Sequence, residues 1–130
     1  SARIRPALTG TACLYSLLNK IDQLGEEDMI RVIVMYPSKA GGTFNYDYYM
    51  KTHIPLVKER LGAALKDVRV FKGVGAPGGK PPGFVTMASL FFDDVPTFEK
   101  TFGPHAKEIM GDIPNFSNIE PQVQIDERLM

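Results

Sequence analysis

Apolar residues arrive along this chain in different rhythms, and each rhythm predicts a different element. From Ile30 to Tyr36 (IRVIVMY) nearly every position is β-branched or otherwise apolar, the pattern of a central strand covered on both faces and ended by Pro37. Tyr46 to Leu61 follows a helical period instead. Tyr46, Tyr49, His53, Leu56 or Val57 and Arg60 share one stripe, while Asp47, Lys51 and Lys58 sit toward solvent. Asn45 can cap this helix, and Gly62 supplies the permissive backbone that ends it. A second strand is predicted over Asp67 to Lys72 and a third over Phe84 to Phe92 (FVTMASLFF). The Gly- and Pro-rich run Gly73 to Gly83 joins them as the long loop of a hairpin. A second helix starts after Asp93 or Asp94, tolerates Pro96 in its first turn and carries Val95, Phe98 and Phe102 inward. Gly103-Pro104 interrupts it, a short turn resumes over His105 to Met110, and Pro121 to Ile125 forms the last strand.

The resulting order, strand, helix, strand, strand, helix, strand, predicts an α+β protein: a ferredoxin-like βαββαβ sandwich with helices on one face of an antiparallel sheet. In the two central strands neither alternating set of residues is polar: Ile33 and Met35 oppose Ile30, Val32 and Val34, and Val85, Met87 and Phe91 oppose Phe84, Ala88, Leu90 and Phe92. An uncovered apolar face of this kind predicts a face-to-face homodimer with a barrel-like interior, a dimeric α+β barrel. Residues 1 to 28 read differently. A basic start, a short apolar helical pattern through Leu14, Leu17, Leu18 and Ile21 and the acidic run Glu26-Glu27-Asp28 mark an N-terminal extension to a core domain of residues 29 to 130.

Composition narrows the function classes. A length of 130 residues suits one domain, and 44% hydrophobic with 23% charged residues argues against a disordered or fibrous chain. Fifteen Lys plus Arg balance fifteen Asp plus Glu, which leaves no basic surplus for nucleic acid. The single cysteine, Cys13, has no partner for an internal disulfide, and the expected setting is the reducing cytoplasm. Ala12 to Leu18 is too short to span a bilayer and lacks a cleavage site, so no membrane anchor is expected. No Cys/His cluster has zinc spacing, and Gly75 to Gly83 contains no phosphate-binding motif, so the reading is of a protein without metal or cofactor.

His53 is the best candidate for chemistry. It lies on the inward helical stripe beside the phenols of Tyr46 and Tyr49, and its unperturbed pKa of about 6.5 suits proton transfer near neutral pH. Pro55 cannot donate to the carbonyl of Lys51, so the turn around His53 is expected to be kinked. A plainer reading stands beside this one, with His53 a core residue bonded to backbone and Tyr46, Tyr48 and Tyr49 packing groups with hydroxyls at the rim. His105 matches no motif and reads as a surface residue.

The run Phe44 to Val57 (FNYDYYMKTHIPLV), preceded by Val34-Met35-Tyr36-Pro37, resembles the signature of the EthD family, and Asp112-Ile113-Pro114-Asn115-Phe116-Ser117 is similar to a second family segment before the last strand. The resemblance covers about Met29 to Glu127 and implies a ferredoxin-like dimeric α+β barrel. It carries over His53 first, with Asp112 and Asn115 as orienting or substrate-binding partners; both also fit a plain turn, where Asp and Asn beside proline bond their own backbone. The implied function is binding of a small hydrophobic, oxygen-bearing substrate within the homodimer, in oxidative or degradative metabolism such as ether degradation. Two classes stay open: a cofactor-independent enzyme using His53 as acid or base with Tyr46 and Tyr49 as substrate contacts, or an accessory protein whose partner is an oxygenase such as a cytochrome P450 system.

Overall fold

Dense β-branched sequence makes β1 (Ile30–Pro37) the centre of the sheet, because such residues fill a pleated surface on both sides. The computed structural model describes residues 29–130; the extension and the apolar pattern through Leu14 to Ile21 lie outside the described residues. β2 (Asp67–Lys72) and β3 (Phe84–Phe92) form the expected hairpin, and β4 (Gln122–Glu127) pairs with the other edge of β1. All neighbours are antiparallel in the order β2-β3-β1-β4, the ferredoxin-like arrangement, so the α+β fold is established.

The first helix starts as a turn, α1 (Tyr46–Tyr48), with the Asn45 side chain accepting the Tyr48 N–H at 3.0 Å. It then widens into a π segment over Tyr49–His53 and resumes as α2 (Ile54–Leu61). The widening is the form that the expected kink takes. Ile54 N–H reaches back five residues to the carbonyl of Tyr49, immediately before Pro55, which has no N–H to give. Gly62, at φ 57°, ends α2 in a conformation that costs glycine nothing. Gly73 is required for space, since a Cβ there would stand 2.0 Å from the Phe84 carbonyl oxygen.

After β3, the Asp94 carboxylate accepts the Thr97 N–H and starts α3 (Val95–Phe102). The Gly103-Pro104 break becomes a tight turn over Gly103–His105, followed by α4 (Ala106–Gly111) and another tight turn over Ile113–Asn115. Helices cover the face of the sheet that carries Val32, Tyr36, Ala88, Leu90 and Phe92, all buried. On the opposite face, Met35, Met87 and Phe91 are half-buried and Phe71 is 60% exposed, flanked by polar groups such as the pair between Arg31 of β1 and Asp126 of the edge strand β4. The apolar second face is therefore a central strip and not the whole surface. Among the described residues no helix is long and apolar enough to cross a membrane.

Candidate functional site

A π segment changes which residues of a helix share a face. Its wider turn brings Tyr49, His53 and Ile54 to the interior together, at 2%, 5% and 6% exposure, where an unbroken 3.6-residue period would have turned Ile54 away. The His53 ring is then fixed by aromatic neighbours. It stacks on Tyr49 with centroids 5.5 Å apart and lies 4.7 Å from the Phe116 ring.

Its partner comes from 59 residues further along the chain. Asp112 Oδ2 stands 2.9 Å from His53 Nδ1. The other oxygen of the same carboxylate, Oδ1, accepts the Tyr48 hydroxyl at 2.7 Å and the Asn115 side-chain amide at 2.9 Å. The Asn115 contact is built locally, since the Ile113–Asn115 turn also brings the Asn115 N–H to the Asp112 carbonyl at 3.0 Å. The long-range contact is held by a separate stitch: Asn45 N–H donates to the Phe116 carbonyl at 2.7 Å, Ser117 Oγ donates to the Thr43 carbonyl, and Phe44 bridges Ser117. The start of the helix and the turn that carries Asp112 are thereby fixed to each other.

Electrostatics assign the protons. Burial pushes the Asp112 carboxyl up, but its bonds to Asn115, Tyr48 and His53 together outweigh that and hold it below the ordinary carboxylate value. Burial pulls His53 down, against the bond and charge of Asp112, and the net is a pKa below the ordinary histidine value. At neutral pH the pair is thus a carboxylate and a neutral imidazole. An ionised carboxylate only accepts, so Nδ1 carries the hydrogen and Nε2, which has no hydrogen-bond partner among the described residues, keeps its lone pair.

That imidazole forms part of the wall of a cavity of about 300 Å³ between the sheet and the helices. The wall is otherwise aliphatic and aromatic, its polar contributors being His53, Tyr36 and Tyr49. Met110 on α4 and Val123 on β4 also line it, at 40% and 51% exposure, so the cavity meets the surface between those elements.

Of the residues singled out in the sequence, His53 and Tyr49 line the cavity, and Asp112 and Asn115 stand behind the imidazole. Tyr46 does not join them. Its hydroxyl donates to the Val85 carbonyl at 2.8 Å, and Lys72 lies over its ring. Arg60, on the same predicted stripe, pairs with Glu108 on α4. Tyr48 and Tyr36 were not anticipated at the site. Both lie in the runs that resemble the family signature, but Tyr48 falls off the 3.6-residue stripe and Tyr36 reads as a strand residue, so periodicity gives neither a place at the site.

The EthD domain matches residues 44–120, more than half of the chain. The chain belongs to the EthD family. This EthD protein is also 40% identical to a crystallised EthD-like protein from Ralstonia eutropha JMP134, with a TM-score of 0.75 over 80% of this chain and 95% of that one. An ethyl tert-butyl ether D (EthD) family protein from Bacillus halodurans C-125 shares the fold at 21% identity, with a TM-score of 0.58 over 78% of this chain and 99% of that one. The search of curated proteins gave no match.

Proposed function

We propose that this EthD protein takes a small hydrophobic, oxygen-bearing metabolite into its interior and acts on it by cofactor-independent acid/base chemistry at His53, as a step in oxidative or degradative metabolism. The observation that carries this reading is the 2.9 Å contact between His53 Nδ1 and Asp112 in a buried imidazole that lines an apolar cavity; with Nδ1 so engaged, Nε2 is the nitrogen left for a ligand. Nε2 accepts a proton from the ligand, and the imidazolium so formed is stabilised by the carboxylate beside it. Tyr49 contacts the ligand. Asp112 and Asn115 act through the imidazole by orienting it, and Tyr46 ties the helix to β3. The apolar strip on the outer sheet face supports a homodimer, with one such interior in each subunit.

One observation favours an accessory role for an oxygenase such as a cytochrome P450 system. The described cavity wall offers one imidazole and no serine, cysteine, lysine or carboxylate to work with it. The two readings separate in one assay: purified protein is incubated with neutral aromatic ethers, phenols and ketones, with and without an added oxygenase system. Turnover by the protein alone, reduced by about 10²–10⁴-fold in His53→Ala while ligand-induced thermal stabilisation persists, is the expected result. Turnover unchanged in His53→Ala contradicts the acid/base reading, and turnover seen only with the oxygenase establishes the accessory one.

A further inference from the structure

Four tyrosines surround the His53 region, and their hydroxyls fall into two classes. Those of Tyr46 and Tyr48 are bonded, to the Val85 carbonyl and to Asp112. Those of Tyr36 and Tyr49 have no hydrogen-bond partner among the described residues, although the two side chains are only 1% and 2% exposed and both line the cavity. The one fully enclosed side-chain polar atom without a partner among the described residues is Thr86 Oγ1, so the two phenol hydroxyls keep some open space beside them; two phenols on one cavity wall with no partner among the described residues mark where a ligand oxygen belongs. They come from different elements, β1 and the π segment, yet their rings meet edge to face at 6.1 Å, and His53 stacks on the second of them.

Resting on the acid/base reading of His53, we propose that the cavity takes a neutral, fused-ring ketone with an enolisable C–H, its carbonyl oxygen held by the Tyr36 and Tyr49 hydroxyls while His53 Nε2 removes the adjacent proton. The donor character of both phenols is secure, because burial raises each well above the ordinary tyrosine value and keeps the proton in place. No lysine or arginine contributes to the described wall, so a carboxylate ligand would lose its hydration without gaining a counter-charge. A volume of about 300 Å³ is at the small end for ligand pockets and suits two fused rings.

In the reaction the C–H bond breaks and its proton goes to Nε2. The C–H electron pair becomes the C=C bond of an enolate, and the carbonyl π pair moves onto oxygen, where the two phenols stabilise it. Proton return from the imidazolium restores the ketone, so the step needs no oxidant or reductant.

The probe is 1-tetralone in D₂O, with loss of its C2 proton signal followed by NMR. The expected result is exchange well above the buffer rate, slowed about 10–100-fold by Tyr36→Phe and by Tyr49→Phe, and brought near the buffer rate by His53→Ala. Thermal stabilisation by tetralin, the same skeleton without oxygen, shows that each variant keeps a folded cavity. Stabilisation by 1-tetralone should exceed that by 1-naphthoate. Wild-type exchange at the buffer rate, full-rate exchange in both phenylalanine variants, or equal stabilisation by the carboxylate overturns the ketone assignment while leaving the His53 reading to its own turnover assay. Full-rate exchange in His53→Ala strikes the His53 reading itself.

Discussion

The interior has two ends built on different principles. At one, Val32, Val57, Leu61, Leu90, Phe92 and Ile109 pack as an ordinary apolar core, with Phe98 and Phe102 of α3 closing over them. At the other, Tyr36, Tyr49 and Phe116 cluster with Phe44, their rings edge to face, and the His53–Asp112 pair is set among them. Apolar packing is indifferent to direction and needs only volume. The aromatic end is directional: its rings hold an imidazole by stacking, the Tyr48 hydroxyl fixes Asp112, and the Tyr36 and Tyr49 side chains line the cavity. The helix irregularity lies at this end, where the π segment turns Tyr49, His53 and Ile54 inward. Structural devices that break local rules therefore coincide with the polar groups, while the regular elements supply the core.

Truncation at the apolar end is the largest expected effect on stability. Phe92→Ala removes a side chain with no exposure and should cost about 3–5 kcal/mol in urea denaturation, with the titration of His53 unchanged in protein that remains folded. A smaller loss would mean that the cavity collapses to fill the space. Asp112→Asn comes next. It removes the charge that accepts three hydrogen bonds, at a cost of about 2 kcal/mol, and with that charge gone burial should draw the His53 pKa further down. An unchanged His53 titration in this variant would show that the carboxylate does not set the imidazole.

The pH dependence separates the two ends more gently. His53 has a folded pKa below its unfolded value near 6.5, so between the two values the unfolded chain binds more protons. Its contribution is complete above about pH 6.5 and is lost as pH falls through the folded value. Asp112 adds a loss of the same sign below its ordinary value of 3.8. His53→Gln should flatten the first of these slopes, and a slope that persists unaltered would place it elsewhere. Tyr36→Phe is the smallest expected change in stability, close to zero, because the hydroxyl it removes has no partner among the described residues. A large destabilisation would show that the hydroxyl belongs to the core.

Much of the fold was legible because its punctuation is chemical. Gly62, the Gly73 to Gly83 run, Pro37 and Asp94 mark ends that any packing must respect, and β2 and β3 span the residues that their sequences predict. β4 runs two residues past its predicted end at Ile125 because an edge strand with alternating polar groups, QVQIDE, has little hydrophobic signal with which to mark a boundary. The stripe on the first helix was read with a single period. The π segment shifted that phase, burying Ile54 and Leu61 and turning Tyr48 toward Asp112. The approach of Asp112 to His53 rests on hydrogen bonds between segments 43–45 and 116–117, and no local periodicity encodes such a stitch. Only the likeness of both segments to one family linked them beforehand.

The state of the His53 ring tests the account most directly. With ¹⁵N-labelled protein, the two ring nitrogens can be assigned and followed through a pH titration, first in the wild type and then in Asp112→Asn. The account predicts a neutral ring with hydrogen on Nδ1 and a bare Nε2, titrating below 6.5 in the wild type and lower still in the variant. Hydrogen on Nε2 at neutral pH, or a wild-type pKa above 6.5, would contradict it.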